Sequence, residues 1–135
     1  MTTHSQTPTP QAQPAPSQTP ASSPPANPAD VTTIESTVAA LYDVISGPAG
    51  KRNWDRFRSL FIPGARLIPT GRRQNGEVGS RVLTVEDYVQ RAGTAFEKEG
   101  FFEREAARRV EVFGNIAHVF STYESRHAKD DAKPF

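Results

Sequence analysis

The chain has 135 residues, a formal net charge of +1, 36 % hydrophobic residues and 23 % charged ones, the composition of a single domain of ordinary make-up. A balance so near neutral gives no electrostatic case for nucleic acid or an anionic membrane surface as partner, and no apolar run approaches the ~20 residues of a membrane-spanning helix. With zero cysteines, disulfides and thiolate chemistry are excluded.

Composition is uneven along the chain. Eight of the twelve prolines lie in residues 1–28, which hold no aromatic residue and no glycine. A Pro/Gln/Thr/Ser/Ala segment of this kind buries too little apolar surface to offset its ordering entropy, so residues 1–30 are expected to be a disordered, partly polyproline-like tail. A docking peptide for a proline-binding module is the alternative to a solvated spacer. No signal-peptide core follows Met1, which reads as cytoplasmic if Met1 is the true start. Such a linker also suits a periplasmic or secreted protein whose signal lies upstream.

Residues 31–135 are expected to form the domain. A first helix spans residues 31–45, with Asp30 or Thr32 as N-cap and Ile34, Val38, Leu41, Tyr42 and Ile45 as its apolar stripe; Ser46-Gly47-Pro48 stops it. Asn53 caps a second helix whose inner face carries Trp54, Phe57, Leu60 and Phe61, and Pro63-Gly64 ends it. Residues 65–69 read as a short strand, residues 70–79 as a polar loop and residues 80–83 as another short strand. Arg72 and Arg73 in the loop, with Arg66 and Arg81 beside it, form either an anion-binding cluster or, the commoner case, a solvated hairpin tip. The loop's glycines match no phosphate-loop spacing. Thr84 opens a third helix, with Val85, Tyr88, Val89, Ala92, Ala95 and Phe96 on one face.

Residues 101–125 are the longest strand-like stretch. Gly114-Asn115 is a permissive pair between two β-branched and aromatic runs, and predicts a two-residue hairpin. Folding there opposes Phe113 to Ile116, Val112 to Ala117, Val110 to Val119 and Arg108 to Ser121. One face then carries Ala106, Arg108, Val110, Val112, Ala117, Val119, Ser121 and Tyr123, suited to lie under helices. The other carries Arg109, Glu111, Phe113, Ile116, His118, Phe120, Thr122 and Glu124. A helix over residues 103–109 is the rival reading. The element order is α+β, without alternating β-α units.

The first-helix pattern, Asn53-Trp54-Asp55-Arg56-Phe57 through Phe61 with Pro63-Gly64-Ala65-Arg66-Leu67, the Leu83-Thr84-Val85-Glu86-Asp87-Tyr88 helix start and the Gly114-Asn115-Ile116-Ala117-His118-Val119 hairpin resemble the nuclear transport factor 2-like superfamily, in particular its SnoaL-like, polyketide-cyclase-related bacterial members. The resemblance implies a cystatin-like α+β roll: a cone-shaped, curved antiparallel sheet wrapped around three helices, with an apolar pocket at its open end. It also implies a homodimer through the convex sheet face in the full-length form, and two further strands that this sequence lacks, hence a C-terminally truncated domain. No cofactor is implied.

The expected function is binding of a small apolar molecule. The alternatives are an acid–base enzyme of isomerase, cyclase or dehydratase type acting on a hydrophobic substrate, and a non-catalytic dimerisation module. Ketosteroid isomerase, scytalone dehydratase and limonene epoxide hydrolase, of the same superfamily, use Asp, His, Tyr or Arg in an apolar pocket. None of their catalytic sets matches this sequence position by position, so no catalytic residue is assigned. The pocket is expected to draw on Tyr42, Trp54, Tyr88, Arg108, Val119, Ser121 and Tyr123. The Tyr and Trp residues are also explained as core with a satisfied polar tip, and Arg108 either holds an acidic ligand or pairs with a neighbouring carboxylate. His118 falls on the opposite face with Phe120, and His118, Glu124 and His127 lack metal-ligand spacing.

Overall fold

A computed structural model describes residues 23–135. The disorder expected of residues 1–22 lies outside the described residues. The described chain is α+β: α1 (Pro28–Val31), α2 (Ile34–Ile45), α3 (Trp54–Ser59), β1 (Arg66–Leu67), β2 (Thr70–Arg72), β3 (Val78–Ser80), β4 (Leu83–Thr84), α4 (Val85–Lys98), β5 (Phe102–Phe113) and β6 (Ile116–Arg126). Among the described residues the strands pair antiparallel as β1–β4, β2–β3 and β5–β6, three small sheets that close no barrel. No helix among them is long and apolar enough to cross a membrane.

Ser23 and Asp30, both within the span expected to be tail, make defined contacts with the rest of the chain. Ser23 Oγ donates to the Phe61 carbonyl at 2.7 Å, and the Asp30 carboxylate accepts from Arg56 Nε at 2.8 Å and its second nitrogen at 2.9 Å. Arg56 also reaches Asp43, so one guanidinium ties α1 to both α2 and α3. A single charge at the end of a Pro/Ala run thus fixes a segment that composition assigns to solvent.

The first helix is also split. Thr33 is extended (φ −133°, ψ 165°) and separates α1 from α2. Its hydroxyl accepts from the Ser36 amide while the Ser36 hydroxyl accepts from the Thr33 amide, both at 3.0 Å, a reciprocal cap that displaces the expected Asp30 and Thr32 caps. Asn53 caps α3 as expected, accepting from the Arg56 amide at 3.0 Å, and Thr84 with Asp87 caps α4 in the same reciprocal way. The expected polar loop over residues 70–79 is a hairpin, with Thr70 opposite Ser80, Gly71 opposite Gly79 and Arg72 opposite Val78. The strand expected over residues 80–83 divides between the end of β3 and the start of β4.

The core sits between α2, α3 and α4. Val44, Ile45, Phe57, Val89, Ala92 and Phe96 are buried together, with Leu41, Trp54, Leu60, Tyr88 and Phe101 packed on them. Ile34, Val38, Leu41 and Tyr42 of the expected α2 stripe are only half-buried, and Ala40 and Val44 take the deep positions. The α3 side chain Phe57 is 1 % exposed, stacked on Tyr88 at 5.0 Å and in edge contact with Trp54 at 5.5 Å. Full burial of a Phe side chain contributes about 1.5–3 kcal/mol. α3 is a mere six residues long, so its helicity depends on this contact far more than on propensity.

The long hairpin has the register read from its turn: Phe113 opposite Ile116, Val112 opposite Ala117, Val110 opposite Val119 and Arg108 opposite Ser121. Gly114 has φ 55°, and among the described residues no non-glycine residue has positive φ. Positive φ at the first central residue alone is the pattern of a type II′ turn. A β-bulge interrupts the register between Glu105 and Ala107, so that Glu105 faces Tyr123 and Glu103 faces Ser125. Ala106 is the extra residue; it points to solvent rather than joining the inner face as expected. Its insertion turns two carboxylates, Glu103 and Glu105, onto the face that meets α2.

Candidate functional site

The inner face of the hairpin meets α2 through hydroxyl and carboxylate groups. Tyr42 from α2 shares a 2.7 Å hydrogen bond with Ser121 of β6, and Ser121 in turn donates to Glu105. Glu105 also accepts from Arg108 at 2.7–2.8 Å. The hydrogen bond from Arg108, then that from Ser121, holds the Glu105 carboxyl below the usual carboxylate range. Arg108 thus has a neighbouring carboxylate as its partner, one of its two expected roles. Tyr123 completes the group, its ring 6.1 Å from that of Tyr42.

One step along β5, Glu103 stands in a drier place. Its backbone amide donates to Ser46 Oγ at 2.9 Å, fixing β5 to the end of α2, and its carboxylate accepts from Ser125 at 3.0 Å. Burial pushes the Glu103 carboxyl above the usual range, against the Ser125 hydrogen bond. Burial also pushes the Tyr88 phenol up to about 12, and the negative charge of Glu103 adds to that rise. The Tyr42 phenol is raised as well, chiefly by burial. Two carboxylates on one strand face, one driven towards its neutral form and one held ionised, form the kind of pair that separates acid from base roles.

A hollow lies between the core-facing side of α4 and the β1–β4 pair. It has a volume of about 590 Å³ and is lined by Leu67, Ile68 and Pro69, by Leu83, and by Tyr88, Arg91, Ala92, Ala95 and Phe96 of α4. Leu67 and Leu83 are register partners in the β1–β4 pair, so the smallest sheet of the fold supplies the hydrophobic wall opposite the helix. A cavity of this size and lining falls within the range that takes drug-sized ligands.

The seven residues expected to line one pocket are divided. Tyr42, Arg108, Ser121 and Tyr123 come together at the hairpin, with half-buried Val119 next along the same face. Trp54 is in the aromatic core, stacked over Phe96 at 6.2 Å. Tyr88 alone of the seven lines the apolar cavity. Sequence reasoning missed Glu103 and Glu105, which only the bulge turns inward, and Leu67, Leu83 and Ala92, whose convergence depends on a two-residue strand pairing. Comparison with protein-family models, curated proteins and solved structures returns no match.

Proposed function

We propose that this chain is a small-molecule-binding domain of the nuclear transport factor 2-like, SnoaL-like kind, taking an apolar ligand into the hollow between α4 and the β1–β4 pair. The observation that carries the reading is that cavity of about 590 Å³, walled by Leu67, Leu83, Ala92 and Phe96. The order of three helical elements, short strands, a capped helix and a long hairpin supports the family reading, as does the lie of α2 along the hairpin's inner face. In that reading β5 and β6 belong to a curved, cone-like sheet. The test is titration with a neutral environment-sensitive dye such as N-phenyl-1-naphthylamine, on the parent chain and on Ala95→Phe. Ala95 is a solvent-exposed cavity-lining position. Saturable binding that the phenyl group abolishes supports the proposal; dye binding of equal strength in both proteins refutes it.

A second reading, acid–base chemistry on a hydrophobic substrate, has its own observation in the opposed shifts of Glu103 and Glu105 beside Tyr42 and Tyr88. Self-association through the hairpin face turned away from α2 is favoured by its exposed Phe113, Ile116 and Phe120. Sedimentation of the parent chain and of Phe113→Ser with Phe120→Ser decides that point: a dimer in the first alone supports it, and monomers in both refute it.

A further inference from the structure

Resting on the binding reading above, we infer that the ligand is an amphipathic acid, its apolar body in the cavity between α4 and β1–β4 and its carboxylate on the arginines next door. A second cleft of about 430 Å³ adjoins the first, and the two share Pro69 and Arg91 as a common wall. Four arginines line this cleft: Arg72 of β2, Arg73 in the turn between β2 and β3, Arg81 just after β3, and Arg91 of α4. Among the described residues no acidic residue lines either cavity.

Six arginines elsewhere are paired, whereas Arg52 is held by four backbone carbonyls and Arg66, like those of the cleft, forms no ion pair among the described residues. Arg56, Arg58, Arg104, Arg108, Arg109 and Arg126 each face a carboxylate. Among the described residues Arg72, Arg73, Arg81 and Arg91 form no ion pair. The backbone makes room for one of them. A Cβ added at Gly79 would lie 2.7 Å from Arg73 Nε, so the missing side chain is what lets that guanidinium lie across β3. Gly79 pairs with Gly71, giving the cleft a floor without side chains.

A solvated hairpin tip accounts for Arg72 and Arg73 but not for Arg91, which comes from α4 and closes the cleft from the other side. Converging cations beside a low-dielectric wall concentrate field towards an anion, and the guanidinium fork matches a carboxylate in two hydrogen bonds. The adjoining apolar cavity requires that the anion carry a hydrophobic body.

The test is a calorimetric titration with three probes of one tail and different heads, each below its micellar concentration: dodecanoate, dodecanol and dodecyltrimethylammonium. The inference predicts that dodecanoate binds at least about tenfold more tightly than dodecanol, the size expected of one charge-assisted hydrogen bond, and that the cation binds weakest. The preference shrinks as salt is raised. Arg91→Gln and Arg81→Gln lower the dodecanoate-to-dodecanol ratio, while Arg109→Gln on the hairpin's outer face leaves it unchanged. Equal affinity for acid and alcohol overturns the inference and leaves apolar binding standing. Binding of none of the three overturns both. Capture of the chain by phosphatidylglycerol vesicles, without a response to monomeric dodecanoate, overturns the assignment of a soluble acid.

Discussion

Arg52 is the residue on which the placement of the long hairpin depends. It follows the loop that ends α2, and its guanidinium donates to four carbonyls of that stretch: Ile45 at 2.9 Å, Gly47 at 2.8 Å, Pro48 at 2.9 Å and Gly50 at 3.0 Å. The same group lies 5.1 Å from the Phe96 ring centre. These carbonyls include helix-end groups with no intrahelical partner. The loop so held presents Gly47, whose amide and carbonyl bridge Phe101 at 2.7 and 3.0 Å where the hairpin begins. A hydrogen bond to a charged donor nets roughly 1.5–3 kcal/mol. Four from one partly solvated side chain do not sum, so Arg52→Ala is expected to cost about 2–4 kcal/mol. For a domain of this size that lowers Tm by roughly 10–30 °C. Arg52→Lys keeps the charge but not the fork, and recovers less than half of the loss. Thermal unfolding followed by circular dichroism reads both. A fall of less than about 3 °C for Arg52→Ala would refute the idea that this clasp holds the hairpin.

Glu103 has its pKa raised by burial, so its contribution to stability is present below the ordinary carboxylate range and is lost as pH rises through the folded value. Glu103→Gln is therefore expected to raise Tm at pH 7 relative to the parent and to leave it unchanged near pH 3; an equal gain at both values contradicts the assignment. The Tyr88 phenol, raised to about 12, contributes stability that is intact below the ordinary tyrosine value and lost as pH climbs through 12. Absorbance titration should show one tyrosine ionising last, and Tyr88→Phe should remove that step; three coincident steps near 10 would sink it. Gly100 lies against the His127 carbonyl oxygen, where an added Cβ meets backbone on both sides. Gly100→Ala is expected to cost about 1–3 kcal/mol, seen as a lower urea midpoint, and an unchanged midpoint would show that the hairpin base shifts freely.

The parts of the fold legible in the sequence are those written in adjacent residues. Asn53 and Thr84 announce their helices because a capping side chain must sit beside the amides it satisfies. Gly114-Asn115 sets the hairpin register because a two-residue turn leaves no other pairing. The Ala106 bulge is invisible, since Glu-Ala-Ala-Arg alternates equally well with or without an extra residue, and the error carries Glu103 and Glu105 to the wrong face. Of the residues expected to share one pocket, Tyr42, Ser121 and Tyr123 converge at the hairpin while Tyr88 lines the cavity. The cavity's wall opposite α4 comes from Leu67 meeting Leu83, a pairing between two-residue strands too short to leave a periodic signal. The Asp30–Arg56 tie is likewise a contact across 26 residues, with no local signature.

The proposed binding site is the hollow between α4 and the β1–β4 pair. Amide and methyl chemical shifts measured during titration with dodecanol test it directly. The account predicts saturable shifts at Leu67, Leu83, Ala92 and Ala95, with the resonances of Ser121 and Val112 unmoved. Saturable shifts confined to the hairpin face around Tyr123 and Val112, or none that saturate, would contradict it.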